Sequence, residues 1–292
     1  MSNKLGSIIR ATRKEMNMTQ CKLSENICTQ ATISMIEKNE ILPGLEILYA
    51  ISIKLKKPLS FFLNVMQDEK YFHTNTIVNE IEKLTTSHQY NKVYKIVVRE
   101  LTYKTNNQWY LAFLTWQKIW CKYQLKYIHV DQAIYELKNL LKNNEENILM
   151  KNFLDDRIYN TIAILYAIAK KYDNAFLYFK KIKIPQNFHD SPRLSQNIYL
   201  IRVKYNIAKT YFDKKDFQEA KVCIEEGIKL SLQMENMSFI GNFYYYDGLI
   251  KENLNYSFEE ISDSYKRAEF FFKILNRDKY LIILKKEKCN YL

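Results

Sequence analysis

Within residues 19–37, side chains that start helices are interleaved with side chains that bond to polar edges. Thr19 places a hydroxyl where a new helix begins, leaving the Gln20 amide near that helix's unpaired backbone N–H groups. Thr29 repeats the arrangement shortly after the first helix ends. Ile33 and Ile36 fall three apart, which turns one face of the second helix inward. The other face carries Gln30, Thr32, Ser34 and Met35. Amides and hydroxyls of this kind bond to base edges and phosphate oxygens, and a short helix fits a major groove. The chemistry expected here is non-covalent reading of duplex DNA.

A second set lies far along the chain. Asn160 and Asn206 each stand six residues before an aromatic, Tyr166 and Phe212, at equivalent places in two similar stretches. Asparagine is a mediocre residue inside a helix, so its repetition asks for a reason. Its amide offers a donor and an acceptor, enough to grip the N–H and C=O of an extended peptide. Arg157 and Arg202 lie three and four residues earlier and can hold an acidic side chain or a terminal carboxylate. The alternative for this region is a helical body that only dimerises.

The elements that must position these residues read as helices throughout. Glycine (5) and proline (4) are scarce among 292 residues, leaving few hairpin turns and an all-α chain. Residues 1–66 form a first domain, closed by Pro58 at a helix start and by an apolar seal, Phe61 and Phe62. Residues 67–292 form a second domain of paired helices. Ala163 and Ala175 in one stretch answer Ala208 and Ala220 in another, small residues that let neighbouring helices approach. The step from Ala175 to Ala220 exceeds the tetratricopeptide period of about 34 residues, so the repeat is degenerate. Five hairpins are expected, near 70–104, 107–143, 150–184, 194–233 and 236–276, with a final helix near 278–290 capping the stack.

Composition narrows the function classes. Net charge is +12, with 36 lysines against 8 arginines; residues 1–66 hold nine Lys/Arg and five Asp/Glu, a balance of +4, and the remaining +8 is spread along the chain. That charge permits and steers DNA binding without demonstrating it. No apolar run is long enough to span a membrane and the first residues lack a secretory signal's apolar core, so a cytoplasmic location is expected. Cys21, Cys28, Cys121, Cys223 and Cys289 are scattered, with no close pair and an odd total, and read as reduced thiols that mostly fill cores. His73, His88, His129 and His189 show no metal-ligand spacing, so neither a metal site nor a cofactor is expected. A phosphate loop or catalytic triad is absent, and adjacent acids such as Glu145-Glu146 and Asp155-Asp156 diverge on a helix, which argues against an enzyme.

Together, residues 10–48 resemble the phage-repressor-like helix-turn-helix family. The resemblance implies that 29–37 is the recognition helix, that Gln20 fixes a phosphate and that Gln30 reads a base. It also implies an internal ion pair, Arg13 with Glu37. Met35 departs from the Arg, Gln or Lys common at its position; it can press on a thymine methyl but cannot hold guanine bidentately.

The whole chain further resembles the PlcR-type peptide-responsive quorum-sensing regulators of Gram-positive bacteria. The residues that carry this are Lys4-Leu5-Gly6-Ser7, Leu23-Ser24-Glu25-Asn26-Ile27-Cys28, Ile240-Gly241-Asn242-Phe243-Tyr244-Tyr245 and Phe270-Phe271-Phe272-Lys273-Ile274-Leu275. The resemblance implies a helix-turn-helix head followed by a tetratricopeptide-like superhelix, assembled as a homodimer on a palindromic operator. It implies a short signalling peptide in each groove, with Asn160 and Asn206 as backbone clamps and Asn242, Tyr245 and Tyr280 as further contacts. Differences in the recognition helix and the body favour a paralogue with its own peptide and operator. Two rival expectations are a peptide-independent dimeric repressor and an adaptor that captures a response-regulator protein.

Overall fold

The computed structural model describes residues 5–66, 69–144, 154–183 and 194–292. Among them every regular element is helical, and contacts divide the chain into two compact units, residues 1–87 and 88–292. The expected hairpin edges at 150–153 and 184, His189 and the Glu145-Glu146 pair lie outside the described residues.

The first unit contains α1 (Leu5–Glu15), α2 (Gln20–Ser24), α3 (Gln30–Glu37), α4 (Leu45–Lys54), α5 (Leu59–Met66) and α6 (Glu69–Thr86). Both short helices start as their caps dictate: Thr19 Oγ1 accepts from Lys22 N–H and Thr29 Oγ1 from Thr32 N–H, each at 3.1 Å. Leu5, Ile9, Leu23, Ile33, Ile36, Leu48, Ile51, Leu55 and Phe62 form one core beneath them. Helices α1 and α3 cross closely at Gly6, where a Cβ would stand 1.9 Å from the Ile36 carbonyl oxygen. Asn39, just beyond α3 in the left-handed region (φ 60°), accepts the Gly6 N–H at 2.7 Å and so caps α1 from across the fold.

The second unit contains α7 (Tyr90–Glu100), α8 (Gln108–Gln124), α9 (Val130–Asn144), α10 (Leu154–Ile168), α11 (Tyr172–Phe179), α12 (Leu194–Asp213), α13 (Phe217–Gln233), α14 (Ile240–Asn253), α15 (Phe258–Ile274) and α16 (Asp278–Glu287). A 3-10 turn at Cys289–Tyr291 ends it. Helices pair as α8/α9, α10/α11, α12/α13 and α14/α15, while the first expected hairpin, 70–104, divides between the two units. The first helices of successive hairpins, α8, α10, α12 and α14, lie side by side as one layer.

Tight turns join these helices without glycine. Lys126, Lys170, Lys215, Asn255 and Asn276 take positive φ after helix ends, and the next residue's N–H bonds back five residues, as Lys171 to the Tyr166 carbonyl and Asp216 to that of Tyr211, both at 2.9 Å. Ala163, Ala175, Ala208 and Ala220 are all buried, and aromatic rings close the remaining gaps. Phe243 lies against Gly227 and Tyr265 against Gly248, each where a Cβ would collide with the ring. Cys121 and Cys223 are buried and burial pushes their thiols up, to about 12 and about 11, whereas Cys21 and Cys289 are exposed.

Candidate functional site

On the first unit, four side chains form an unbroken relay. Arg13 donates through Nε to Glu37 Oε1 at 2.6 Å and through Nη2 to Oε2 at 2.8 Å, and its Nη1 bonds the Met18 carbonyl. Gln20 Nε2 donates to the same Glu37 Oε2 at 2.9 Å, and Gln30 Nε2 donates to Gln20 Oε1 at 2.8 Å. Burial pushes the Glu37 carboxyl up. Its hydrogen bonds from Arg13 and Gln20, with the charges of Arg13 and Arg10, outweigh burial and hold it below the ordinary carboxylate value. The Arg13 guanidinium is raised by the same Glu37 bond, against its own desolvation.

The order of donors along this relay follows from one constraint. A carboxylate only accepts, so Gln20 must turn its NH2 to Glu37 and its carbonyl to Gln30. Gln30 then spends one N–H on Gln20 and keeps a carbonyl oxygen and a second N–H. Exposed at the start of α3, it presents an acceptor beside a donor. That pattern complements adenine's major-groove edge, which offers N7 as acceptor and N6–H as donor.

The rest of α3 sorts by face. Ile33, Ile36 and Glu37 are buried; Ala31 and Met35 point away from them, with Gln30 and Ser34 on one flank. Thr32 sits half-buried on the other flank, its hydroxyl 2.8 Å from Thr29 Oγ1, so both threonines belong to the cap. Ala31 is the residue on the outward face that sequence reasoning missed; its place four before Met35 was the available signal.

The second unit gathers its candidate residues along the first-helix layer. Asn206 on α12 donates Nδ2 to Oδ1 of the buried Asn160 on α10 at 3.1 Å. Arg157 lays its guanidinium over Trp116 at 4.8 Å, and Trp116 is fixed by donating Nε1 to Thr161 Oγ1 at 3.0 Å. Arg202 lies 5.7 Å from the Phe239 ring. Burial and Asp156 push the Tyr199 hydroxyl pKa up, and the Arg157 and Arg202 guanidinium charges oppose that shift. Asn242 on α14 lies near enough to Tyr205 to oppose the rise that burial gives the Tyr205 hydroxyl pKa, and the Tyr205 ring stands 5.6 Å from that of Tyr246. Tyr280 on α16 stacks on Phe272 at 5.4 Å and lies within electrostatic reach of Tyr205, Tyr246 and Tyr90. Tyr245 turns its hydroxyl to Glu287 at 2.8 Å.

Asn160 is thus joined directly to Asn206, the Arg157 and Arg202 charges both act on Tyr199, and Tyr280 acts electrostatically on Tyr205 and Tyr246. Tyr245 is the one tied to the end of α16. Sequence reasoning missed Tyr205 and Tyr246, although one precedes Asn206 and the other follows Asn242 by one helical turn. The arrangement can hydrogen-bond an extended backbone, stack on apolar side chains and attract a carboxylate. Among the described residues no cluster of three His, Cys, Asp or Glu stands ready to hold a metal, and no described helix is long and apolar enough to cross a membrane.

Comparison with known proteins gives matches over both units. The profile of the RNPP family C-terminal domain matches residues 78–292, and that of a helix-turn-helix matches residues 9–62. No curated protein sequence matches. Among solved structures, Bacillus thuringiensis PlcR in complex with the peptide PapR7 and DNA is similar, with 31% identity and a TM-score of 0.82, covering 97% of this chain and 99% of that one. The same protein in its apo form gives 27% identity and a TM-score of 0.69, over 98% and 100%. ComR from S. thermophilus, solved with DNA and its signalling peptide ComS, shares the fold at 14% identity and a TM-score of 0.62, over 98% and 99%.

Proposed function

Because this chain belongs to the RNPP family, we propose that it is a cytoplasmic, homodimeric transcription regulator controlled by a short signalling peptide, and that it has no catalytic role. The first unit reads a palindromic DNA operator; the second holds the peptide. What supports this reading is one chain carrying a Gln30 amide with a fixed outward pattern and an Asn160–Asn206 pair among aromatics and arginines. Its full-length similarity to a regulator solved with both peptide and DNA points the same way.

In this reading Gln20 steers a phosphate and Gln30 takes an adenine. Ser34 and Met35 meet the neighbouring bases, Met35 through a thymine methyl, and Thr29 and Thr32 fix the start of α3 against the backbone. Asn160 and Asn206 hold the peptide backbone, Arg157 and Arg202 a carboxylate, and Asn242, Tyr245 and Tyr280 the far end of the peptide. At 31% identity the peptide and the operator are this protein's own. Coupling requires only that the peptide bind more tightly to the arrangement that sets two heads about one helical turn, roughly 34 Å, apart. Reciprocity then makes operator DNA raise peptide affinity by the same factor.

The test is fluorescence anisotropy on a duplex from upstream of the protein's own gene, with and without the C-terminal peptide of an adjacent small secreted reading frame. A large peptide-dependent gain in affinity is the expected result. Tight binding indifferent to peptide demotes the second unit to a dimeriser, and no binding to DNA removes the regulator reading.

A further inference from the structure

The bond from Asn206 to Asn160 runs from α12 to α10, so a chain laid on both amides crosses these two helices. Side chains of an extended chain alternate sides, and on this path they point by turns towards the helix starts and the helix ends. Arg157 and Arg202 lie on the side of the starts. On α12, Arg202 stands four residues before Asn206, about 6 Å along the axis, and Lys209 three residues after it, about 4.5 Å, on the same face. The clamp therefore has cations on both sides. The arginines have a carboxylate to hold, and Lys209 has Asp213: its Nζ donates to Oδ2 at 2.7 Å.

That pair is easily opened. Its side chains are 42% and 35% exposed, and Lys before Asp is the weaker order for two acid–base partners four apart on a helix. Asp213 can turn to solvent and leave the ammonium to another acid at small cost. The wall beside the pair is aromatic. The charges of Lys209 and Asp213 both act on Tyr246, whose ring stands 5.6 Å from that of Tyr205 and 5.4 Å from that of Phe212. Partial burial works against the charge of Lys209, but Tyr246 and Asp213 outweigh it and hold the pKa above the ordinary lysine value. Lys209 stays a cation at neutral pH, in surroundings where a charge-assisted bond is stronger than in water.

We infer that Lys209 is a specificity residue, exchanging Asp213 for an Asp or Glu side chain on the side of the peptide opposite the one that Arg157 and Arg202 hold. The inference rests on the peptide-binding reading above and gives the peptide a class: an acidic one, with carboxylates on both sides of its backbone. Asp213 keeps the ammonium paired while the groove is empty and competes with the incoming acid. A peptide with an apolar or basic residue at that place leaves the Lys209–Asp213 pair closed and gains nothing from it.

The experiment uses the full-length chain and the tightest heptapeptide it selects from a randomised pool. Calorimetric titration then compares that peptide with versions in which each acid in turn becomes its amide. For one acid, the amide should cost the parent chain about tenfold or more in affinity and cost Lys209→Met little, the signature of a direct pair. Lys209→Met should bind that amide version as the parent does, which a merely damaged groove would not. Lys209→Arg should restore the preference for the acid, and Asp213→Asn should bind the acidic peptide several-fold more tightly than the parent. A selected peptide without an acid side chain overturns the inference. So does a Lys209→Met loss that is equal for the acid and amide versions of every position. If the parent chain selects no peptide at all, the peptide-binding reading itself falls, and this inference with it.

Discussion

The Asn206 side-chain amide donates to the Asn160 carbonyl oxygen at 3.1 Å, which joins two residues on neighbouring hairpins into one polar unit. The bond uses one N–H of Asn206 and one acceptor position of Asn160. Both N–H groups of Asn160 and the carbonyl oxygen of Asn206 remain for a third partner. An extended peptide presenting a C=O to one and an N–H to the other fits that remainder without any demand on its side chains.

Truncating either partner therefore has two effects. Asn206→Ala removes an acceptor for the peptide and leaves the buried Asn160 oxygen without its donor. Peptide affinity should fall by about 1–3 kcal/mol, read by calorimetric titration, while binding of peptide-free protein to operator stays as it was. A variant that keeps its peptide affinity would remove Asn206 from the site.

Gln30 makes the opposite separation. Gln30→Ala leaves peptide binding intact and relaxes discrimination at a single base pair of each half-site, by about 1–3 kcal/mol. Gln20→Ala should weaken binding to all sequences more evenly and also blur the same base pair, because Gln20 sets which atoms Gln30 turns outward. Competition binding with single-base-pair operator variants measures both. Undiminished adenine preference in Gln20→Ala would show that the relay does not orient Gln30.

What was legible in the sequence tracks local chemistry. Thr19 and Thr29 announced their helices because a cap acts within three residues, and Ile33 and Ile36 announced a buried face through helical spacing. The equivalence of Asn160 and Asn206 was legible because a repeat keeps register. Their direct bond was not, since it depends on how closely two hairpins pack. The Gln20–Gln30 bond was hidden for the same reason, and Tyr205 and Tyr246 were lost among 23 tyrosines. Scarce glycine pointed to few hairpin turns and a helical chain, and the tight turns that join the helices put lysine and asparagine in the left-handed positions. Asparagine bears that conformation readily; the lysines are held there by the bonds that close each helix.

The Arg13–Glu37 pair makes the first unit sensitive to acid. Glu37 is held below its ordinary value in the folded chain, so its contribution to stability is complete above the unfolded carboxylate value, about 4.3. It is lost as pH falls through the depressed folded value. Urea unfolding of the first unit should show its stability declining over that acid window. Glu37→Gln should flatten this part of the profile. Arg13→Ala should cost about 3–5 kcal/mol at neutral pH by leaving a buried carboxylate unpaired, and that cost should shrink on acidification as Glu37 takes up a proton. An acid profile identical in the parent and Glu37→Gln proteins would rule the pair out as its source.

Gly6 sets how closely α1 approaches α3, and through them how Arg13 reaches Glu37. A methyl at this position would stand 1.9 Å from the Ile36 carbonyl oxygen and 2.8 Å from Asn39 Oδ1, the atom that caps α1. Backbone cannot yield as a side-chain tip does, so relief requires the two helices to separate. Gly6→Ala should cost at the upper end of about 1–3 kcal/mol despite alanine's better helix propensity, and should weaken DNA binding because α3 moves with the relay. Ser7→Ala, one residue on, removes only the 3.3 Å contact with Asn39 Nδ2 and should cost less than about 1 kcal/mol. Thermal unfolding of the two variants side by side separates close packing from general sensitivity of the helix start. Equal stability of Gly6→Ala and Ser7→Ala would mean that the α1–α3 crossing is looser than the 1.9 Å approach requires.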